Sequence, residues 1–588
     1  MNTAIDISHI PFSRYGAYVS ITAEQDSDFL TIHNVRKRFE DGPALKLSFW
    51  HEGKQIGFTQ AAAPERLICT TPAGKVSIHI PDDETMVFVS DGVDLYFQTL
   101  VDYGYGTEKG EHQFTIMNAG QKSHTLFGVS AGKGTLSGPF VEDDIWKWNG
   151  RPVDKRQDLR VECDKGKALV AMRLSMEEVT HIETSEPDED IKAIKSEWQA
   201  FLAKMPESRP DMAETEKEFG RVTWYNLWSS FARAWDVYHY DTMLMSKKFM
   251  SSVWSWDHCF NALAMAQVSR QTALEQFMAP FVLQAPNGVL PDMWNPNTEI
   301  VWAVTKPPIH GWCFGKLMDI FDFPPETLTA VYDHLEKWTN WWMVYRDEDG
   351  DGIPAYPQGC DSGWDNGSVF DNGYFVASPD LSAFLVLQMN TLARIADTLN
   401  ESQKAVDWRR RSEELLGRMY ETNWKNDRFV AVMSHSHEYQ PEPGCLLVNM
   451  PVVLGELLDK DKMAKTAKRI EERFLTEYGL ATEAPDSPRY EADGYWRGPI
   501  WAPSTYLIVD GLRRGGYTEL AAKIAKRYLH MSCHVAKGNY ENFDALTGRG
   551  LRAPGYTWSA SVYMLLSWEF AGQRTAPRND EKCAEECL

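Results

Sequence analysis

The sequence predicts a multidomain fold, an N-terminal antiparallel β-sandwich followed by an all-α (α/α)6 barrel. Two observations carry that reading. From about Asp28 to Ser185 apolar residues alternate with period two, and from Asp211 to about Phe570 they recur at helical spacing. Between the two regions lies a charged helical stretch, Asp188 to Met205. It runs into Pro206-Glu207-Ser208-Arg209-Pro210, which reads as a linker.

The β region comes first. Its alternating or β-branched runs include Phe29-Leu30-Thr31-Ile32-His33, Val76-Ser77-Ile78-His79-Ile80, Gln113-Phe114-Thr115-Ile116 and Ala168-Leu169-Val170-Ala171-Met172. Gly, Asp and Pro turns separate them at sandwich spacing. In the second region helices are expected to begin near Glu216, Trp256, Arg270, Ile309, Pro325, Leu381, Glu401, Pro451, Lys460, Ile500, Thr518 and Thr557. Helices paired in hairpins make a toroid, in which inner helices surround a funnel and the loops at one end carry function. A right-handed superhelix or an irregular bundle would use the same helices. The domains so read are a sandwich over 1–186, a helical linker over 187–215, a helical domain over 216–572 and a polar tail over 573–588.

Composition narrows the function. The net charge of −23, from 83 acidic against 60 basic residues, argues against nucleic acid and anionic membranes as partners. The N-terminus has neither the basic start nor the apolar run of a signal peptide, and nothing approaches an 18-residue apolar stretch. The nine Cys show no C-x-x-C pairs of zinc spacing, so a cytoplasmic protein with reduced thiols is expected. No phosphate-binding glycine loop and no G-x-S-x-G elbow is present. His435-Ser436-His437 lacks further ligands at metal spacing. The aromatic content is high, with 22 Trp, 23 Tyr and 27 Phe, and flat rings suit the C–H faces of sugars as well as large cores.

Four segments concentrate aromatic rings with carboxylates or Arg. They are Val253-Trp254-Ser255-Trp256-Asp257-His258, Gly359-Cys360-Asp361-Ser362-Gly363-Trp364-Asp365-Asn366, Tyr495-Trp496-Arg497-Gly498-Pro499-Ile500-Trp501 and Asn539-Tyr540-Glu541-Asn542-Phe543-Asp544. A carboxyl among rings is partly desolvated, which raises its pKa and suits acid–base work on a glycosidic bond. Composition alone does not choose a catalyst among them, since hydroxyl binding and helix capping use the same residues.

The motifs narrow the choice. Ser362-Gly363-Trp364-Asp365-Asn366 resembles the S-G-W/M/L-D-N/F-S segment of glycoside hydrolase family 63 and of the related family 37 trehalases, whose Asp is the general acid. Tyr495 to Trp501 is similar to that group's Y-W-R-G-P-I/V-W segment. Tyr540-Glu541-Asn542-Phe543-Asp544 with Thr547-Gly548 resembles the E-x-Y/F-x-P-x-T-G segment, whose Glu is the general base. Trp256-Asp257 and Pro307-Pro308 resemble weaker elements of the same pattern. Three positions depart from it: Gly367 where Ser is common, Ala545 where Pro is common, and Lys306 where Gln is common.

The resemblance implies an inverting, exo-acting α-glycosidase on a small soluble α-glucoside or oligosaccharide, with glucose or mannose as glycone. Asp365 would be the acid and Glu541 the base, with Asp361 the alternative acid. Trp256, Trp364 and Trp496 would wall the sugar site, and Asp257 and Arg497 would hold hydroxyls. For Arg497 a structural ion pair is the equal alternative, and for Trp501 and Trp558 core packing is the better reading. An inverting glycoside phosphorylase shares the architecture, and a non-catalytic sugar-binding protein is the reading from another class. No cofactor is required for the chemistry. Asp347, Asp349 and Asp351 with Gly352 reproduce half of an EF-hand loop and fit either a structural Ca²⁺ or a solvated acidic turn, since Gln358 stands where the bidentate Glu belongs. Oligomeric state is open.

Overall fold

A computed structural model describes residues 4–570 apart from 25–26, 38–40, 101–103, 110–111, 119–120, 141–146, 149–150, 153–155, 183–186, 208–211, 297–299 and 372. The expected polar tail, with Cys583 and Cys587, and part of the Pro-bearing linker lie outside the described residues.

Period-two alternation becomes two antiparallel sheets. One runs in spatial order Val19–Thr22, Phe29–Asn34, Pro43–His51, Asp94–Thr99, Arg156–Glu162 and Lys133–Phe140, with Lys54–Ile56 paired beside Pro43–His51. The other runs Gly104–Glu108, Gln113–Asn118, Ser123–Ala131, Lys167–Ser175, Thr85–Asp91, Lys75–His79, Arg66–Thr70 and Thr59–Ala63. In Asp94–Thr99 every second residue is buried, so Leu95 and Phe97 face the core while Tyr96 and Gln98 point outward. Phe97 meets Phe88 and Phe127 of the opposite sheet, each at 5.1 Å between ring centroids, which is how the sandwich closes.

The helical region holds α1 (Pro187–Leu202), α2 (Glu214–Ser229), α3 (Asp257–Met265), α4 (Arg270–Met278), α5 (His310–Ile320), α6 (Pro325–Tyr345), α7 (Pro379–Thr398), α8 (Ser402–Asn423), α9 (Lys460–Arg469), α10 (Ala502–Arg514), α11 (Thr518–His530) and α12 (Thr557–Glu569). The segment expected to be a helix from Pro451 is instead a kinked 3-10 segment, Leu446–Leu457. Pro451 has no N–H to give to an α-helical bond, and Gly455 turns left-handed at φ +59°.

Contacts close a ring: α3 packs on α5, α5 on α7, α7 on Leu446–Leu457, that segment on α10, α10 on α12, and α12 back on α3. The remaining helices α2, α4, α6, α8, α9 and α11 lie outside it. Burial explains the division. All of α3 is buried, whereas α8 buries only a stripe of Ala405, Trp408, Ser412, Leu415, Met419 and Asn423. The result is the (α/α)6 barrel preceded by the sandwich. The sandwich core continues onto α1 and α2 through Trp198, Trp224 and Trp228. Among the described residues no helix is long and apolar enough to cross a membrane.

Candidate active site

The motif segments converge because each leads into an inner helix at the same end of the ring. Trp256 is the N-cap of α3, Trp501 that of α10 and Tyr556 that of α12, while Lys306-Pro307-Pro308 leads into α5.

Five indoles form one cluster. Trp496 stacks on Trp501 at 3.8 Å and 7°, tilts against Trp364 at 4.9 Å and against Trp256 at 6.3 Å, and Trp558 closes the group at 5.3 Å from Trp501. Gly363 permits it. The residue is left-handed at φ +74°, and a Cβ there would come within 2.8 Å of the Trp256 ring. All five are buried, so Trp501 and Trp558 are packing partners of the other three.

Asp365 lies at the edge of this cluster with a third of its side chain exposed, 3.5 Å from the Lys306 ammonium. Lys306 is buried, reaches Asp292 at 3.2 Å and donates to the Cys360 carbonyl at 3.1 Å. Burial alone would lower its pKa, but the charges of Asp365 and Asp292 outweigh it and hold the ammonium protonated. The sequence singled out Lys306 only as a departure from a pattern; the structure puts it against the expected acid. Asn366 ties the same loop to the next one, donating to the Gly494 carbonyl (3.0 Å) and accepting from the Trp496 amide (3.0 Å).

Glu541 sits in the short strand Tyr540–Phe543 and is buried. Burial pushes its carboxyl up to about 7, opposed by the neighbouring Tyr495 and Tyr556 phenols and the charge of Arg552; the Asp365 charge is near enough to raise it further. Tyr495 and Tyr556 were not singled out from sequence, although one begins a matched motif and the other precedes an expected helix.

Asp257, in the first turn of α3, is 2% exposed, and among the described residues neither carboxylate oxygen has a hydrogen-bond partner from another residue. Burial holds its pKa well above the usual range despite Lys306 nearby. Asp361 differs. It accepts from the Thr305 amide at 3.0 Å and pairs with Arg346 at 3.4 Å, so its oxygens are occupied in bracing the loop. Arg497 takes the ion-pair alternative, donating through Nε to the Asn366 carbonyl (2.7 Å) and pairing with Asp371, which Arg489 also holds at 2.9 Å.

Away from this centre, Asp347, Asp349 and Asp351 bring carboxylate oxygens within 4.8 Å of one another. Asp347 Oδ1 and Asp349 Oδ2 are buried without a hydrogen-bond partner, and burial with the two neighbouring carboxylates raises Asp347.

A barrel of paired helices with carboxylates and indoles at one mouth defines a glycoside hydrolase. The sequence profile of the mannosylglycerate hydrolase MGH1-like glycoside hydrolase domain matches residues 250–559, more than half of the chain, and the chain belongs to that family, within glycoside hydrolase family 63. The mannosylglycerate hydrolase MGH1 of Selaginella moellendorffii is 21% identical over 397 residues, 54% of this chain and 80% of that protein. In fold, the chain is similar to the GH63 mannosylglycerate hydrolase of Thermus thermophilus in complex with Tris, at 18% identity and a TM-score of 0.52 over 60% of this chain and all of that one. A bacterial glucoamylase complexed with acarbose matches 96% of this chain and 94% of its own, at 11% identity and a TM-score of 0.62, so its likeness extends over the sandwich as well.

Proposed function

We propose that this hydrolase is an inverting, exo-acting α-glycosidase, α-glucosidase-like, on a small soluble α-glucoside or oligosaccharide. The observation that carries the reading is the pair of unlike carboxylates on two loops of one aromatic-lined mouth: Asp365 half-open beside Lys306, and Glu541 buried yet within reach of the Asp365 charge. In the proposed reaction the Asp365 carboxyl gives its proton to the glycosidic oxygen as the bond from C1 breaks. Glu541 takes a proton from a water whose oxygen bonds to C1 from the opposite face. Inversion follows because the water comes between base and sugar, which such enzymes allow with a carboxyl separation of roughly 6.5–9.5 Å.

The unpartnered oxygens of Asp257 are acceptors for glycone hydroxyls, and Trp256, Trp364 and Trp496 supply faces for its C–H edges. Arg497 acts through the loop it pins rather than on the sugar. The names of the relatives make glycosylglycerates natural members of a substrate panel. The test is anomeric NMR of the first product from α-linked disaccharides, glucosylglycerate and mannosylglycerate in phosphate-free buffer. Release of the β-anomer supports the reading; the α-anomer, or a requirement for phosphate, overturns it.

We also propose that Asp347, Asp349 and Asp351 hold a structural Ca²⁺, which their two orphaned buried oxygens fit. The ion would screen three like charges and brace the loop ahead of Asp361, with no part in the chemistry.

A further inference from the structure

At the position where Gln is common in the resembled pattern this chain carries Lys306, and its ammonium lies 3.5 Å from Asp365 Oδ1. We propose that Lys306 is a positioning residue for the general acid: it holds Oδ1 in place and takes up the negative charge that the carboxyl gains as Oδ2 gives its proton to the leaving oxygen. The proposal rests on Asp365 being the acid.

The two oxygens of Asp365 have different surroundings. Oδ1 is buried, with no hydrogen-bond partner among the described residues and the Lys306 ammonium as its ion-pair partner. A third of the side chain is nonetheless exposed, so the open side of the carboxyl is that of Oδ2, the oxygen a leaving group can reach. Lys306 is itself fixed from both directions along the chain. Thr305, before it, donates its amide to Asp361 at 3.0 Å and its hydroxyl to the Leu290 carbonyl at 2.9 Å. Pro307, after it, restricts the Lys306 backbone to extended conformations. The ammonium donates to the Cys360 carbonyl at 3.1 Å and pairs with Asp292 at 3.2 Å. Its three partners, Cys360, Asp292 and Asp365, are as many as its N–H groups, so its contact is with the acid and not with an aglycone. Cys360 belongs to the acid's own loop, and Lys306 therefore grips that loop by its backbone as well as by the carboxyl.

The chemistry follows from charge. While Asp365 keeps its proton, Lys306 and Asp292 form a neutral pair beside it. As the Oδ2–H bond breaks, the proton goes to the glycosidic oxygen and the C1–O bond breaks with its electron pair on that oxygen. The new carboxylate then shares the ammonium with Asp292. The Lys306 side chain is only 8% exposed, and a charge fixed at this distance out of water stabilises the carboxylate without waiting for solvent to reorganise. Burial works against the ammonium, but the charges of Asp365 and Asp292 outweigh it, so the cation is present throughout. The benefit scales with the proton the leaving group needs. It is large for a sugar or alkyl alcohol and absent for fluoride, which departs without one.

Lys306→Gln supplies the residue common in the pattern and removes the charge. The measurement is kcat of the full-length protein on an alkyl α-glycoside and on the α-glycosyl fluoride of the same sugar, for wild type, Lys306→Gln and Asp365→Asn. The ratio of the two rates, alkyl glycoside over fluoride, is expected to fall about tenfold to a hundredfold in Lys306→Gln. A merely structural role would lower both rates alike and leave the ratio where it was. Should Lys306→Gln fail to fold because a buried carboxylate has lost its cation, Lys306→Met combined with Asp292→Asn removes both charges and is judged by the same ratio. If Asp365→Asn lowers the ratio while the Lys306 variant keeps it within about twofold of wild type, the role of Lys306 is overturned alone. If Asp365→Asn also leaves the ratio unchanged, the acid assignment falls and the proposal with it.

Discussion

Replacing Glu541 by Gln is expected to abolish turnover and, at the same time, to stabilise the fold at alkaline pH. Burial lifts the Glu541 carboxyl from its ordinary 4.5 to about 7, so between those values the folded chain binds more protons than the unfolded one. Stability therefore falls as pH rises through that window, and the full penalty stands above the folded pKa. At 1.36 kcal/mol per unit, the ionised group costs about 1 kcal/mol at pH 5 and about 3 kcal/mol at pH 8. Gln carries no charge and keeps the shape of the carboxyl. Its NH₂ group needs a partner in a buried place, which takes back about 1 kcal/mol. The net gain is about 2 kcal/mol at pH 8 and close to zero at pH 5. Urea unfolding of wild type and variant at both pH values, followed by tryptophan fluorescence, reads the difference directly. A Glu541→Gln variant less stable than wild type at pH 8, or a difference that does not grow between pH 5 and pH 8, refutes the account of this site as a burial-strained base.

Asp365→Asn should lose about a thousandfold or more in kcat on ordinary glycosides but far less on a glycosyl fluoride, whose leaving group needs no proton; equal losses on both would count against the acid role. Asp361→Asn removes the buried charge that Arg346 and the Thr305 amide satisfy, so it should cost about 2 kcal/mol in denaturant unfolding while kcat stays within a few-fold. Lost activity without lost stability would instead make Asp361 the acid. Chelation, or Asp349→Asn, should lower the melting temperature by about 1 °C, as expected for a loss of about 1 kcal/mol in a chain of this size, and leave kcat of the folded enzyme unchanged. An unmoved melting temperature on chelation would remove the calcium.

Much of the fold was legible because hydrophobic period reports which face of an element is buried, and that is local. The switch near 186–216 and the helix starts near Glu216, Arg270, Pro325, Lys460 and Thr518 follow from it. The segment around Pro451 escapes that reading because apolar spacing registers burial in the inner ring but not the loss of an N–H or a left-handed Gly455. From residue types alone the site was legible as four segments, and the motif resemblance then singled out Asp365 and Glu541 within them. Residue type does not distinguish Asp361 from Asp365, four residues apart in one loop, or say whether Arg497 meets a sugar or Asp371.

The sequence by itself determined the two periods, the order of the helices and the segments whose residue types suit sugar chemistry. Closure of α12 on α3, a contact across most of the helical chain, determined which segments meet. In the assembled ring Asp361 finds Arg346, Asp365 finds Lys306, and Glu541 lies near Tyr495 and Tyr556. A carboxyl's role depends on its desolvation and its partners, and both are properties of the assembled ring rather than of the residues beside it in the chain.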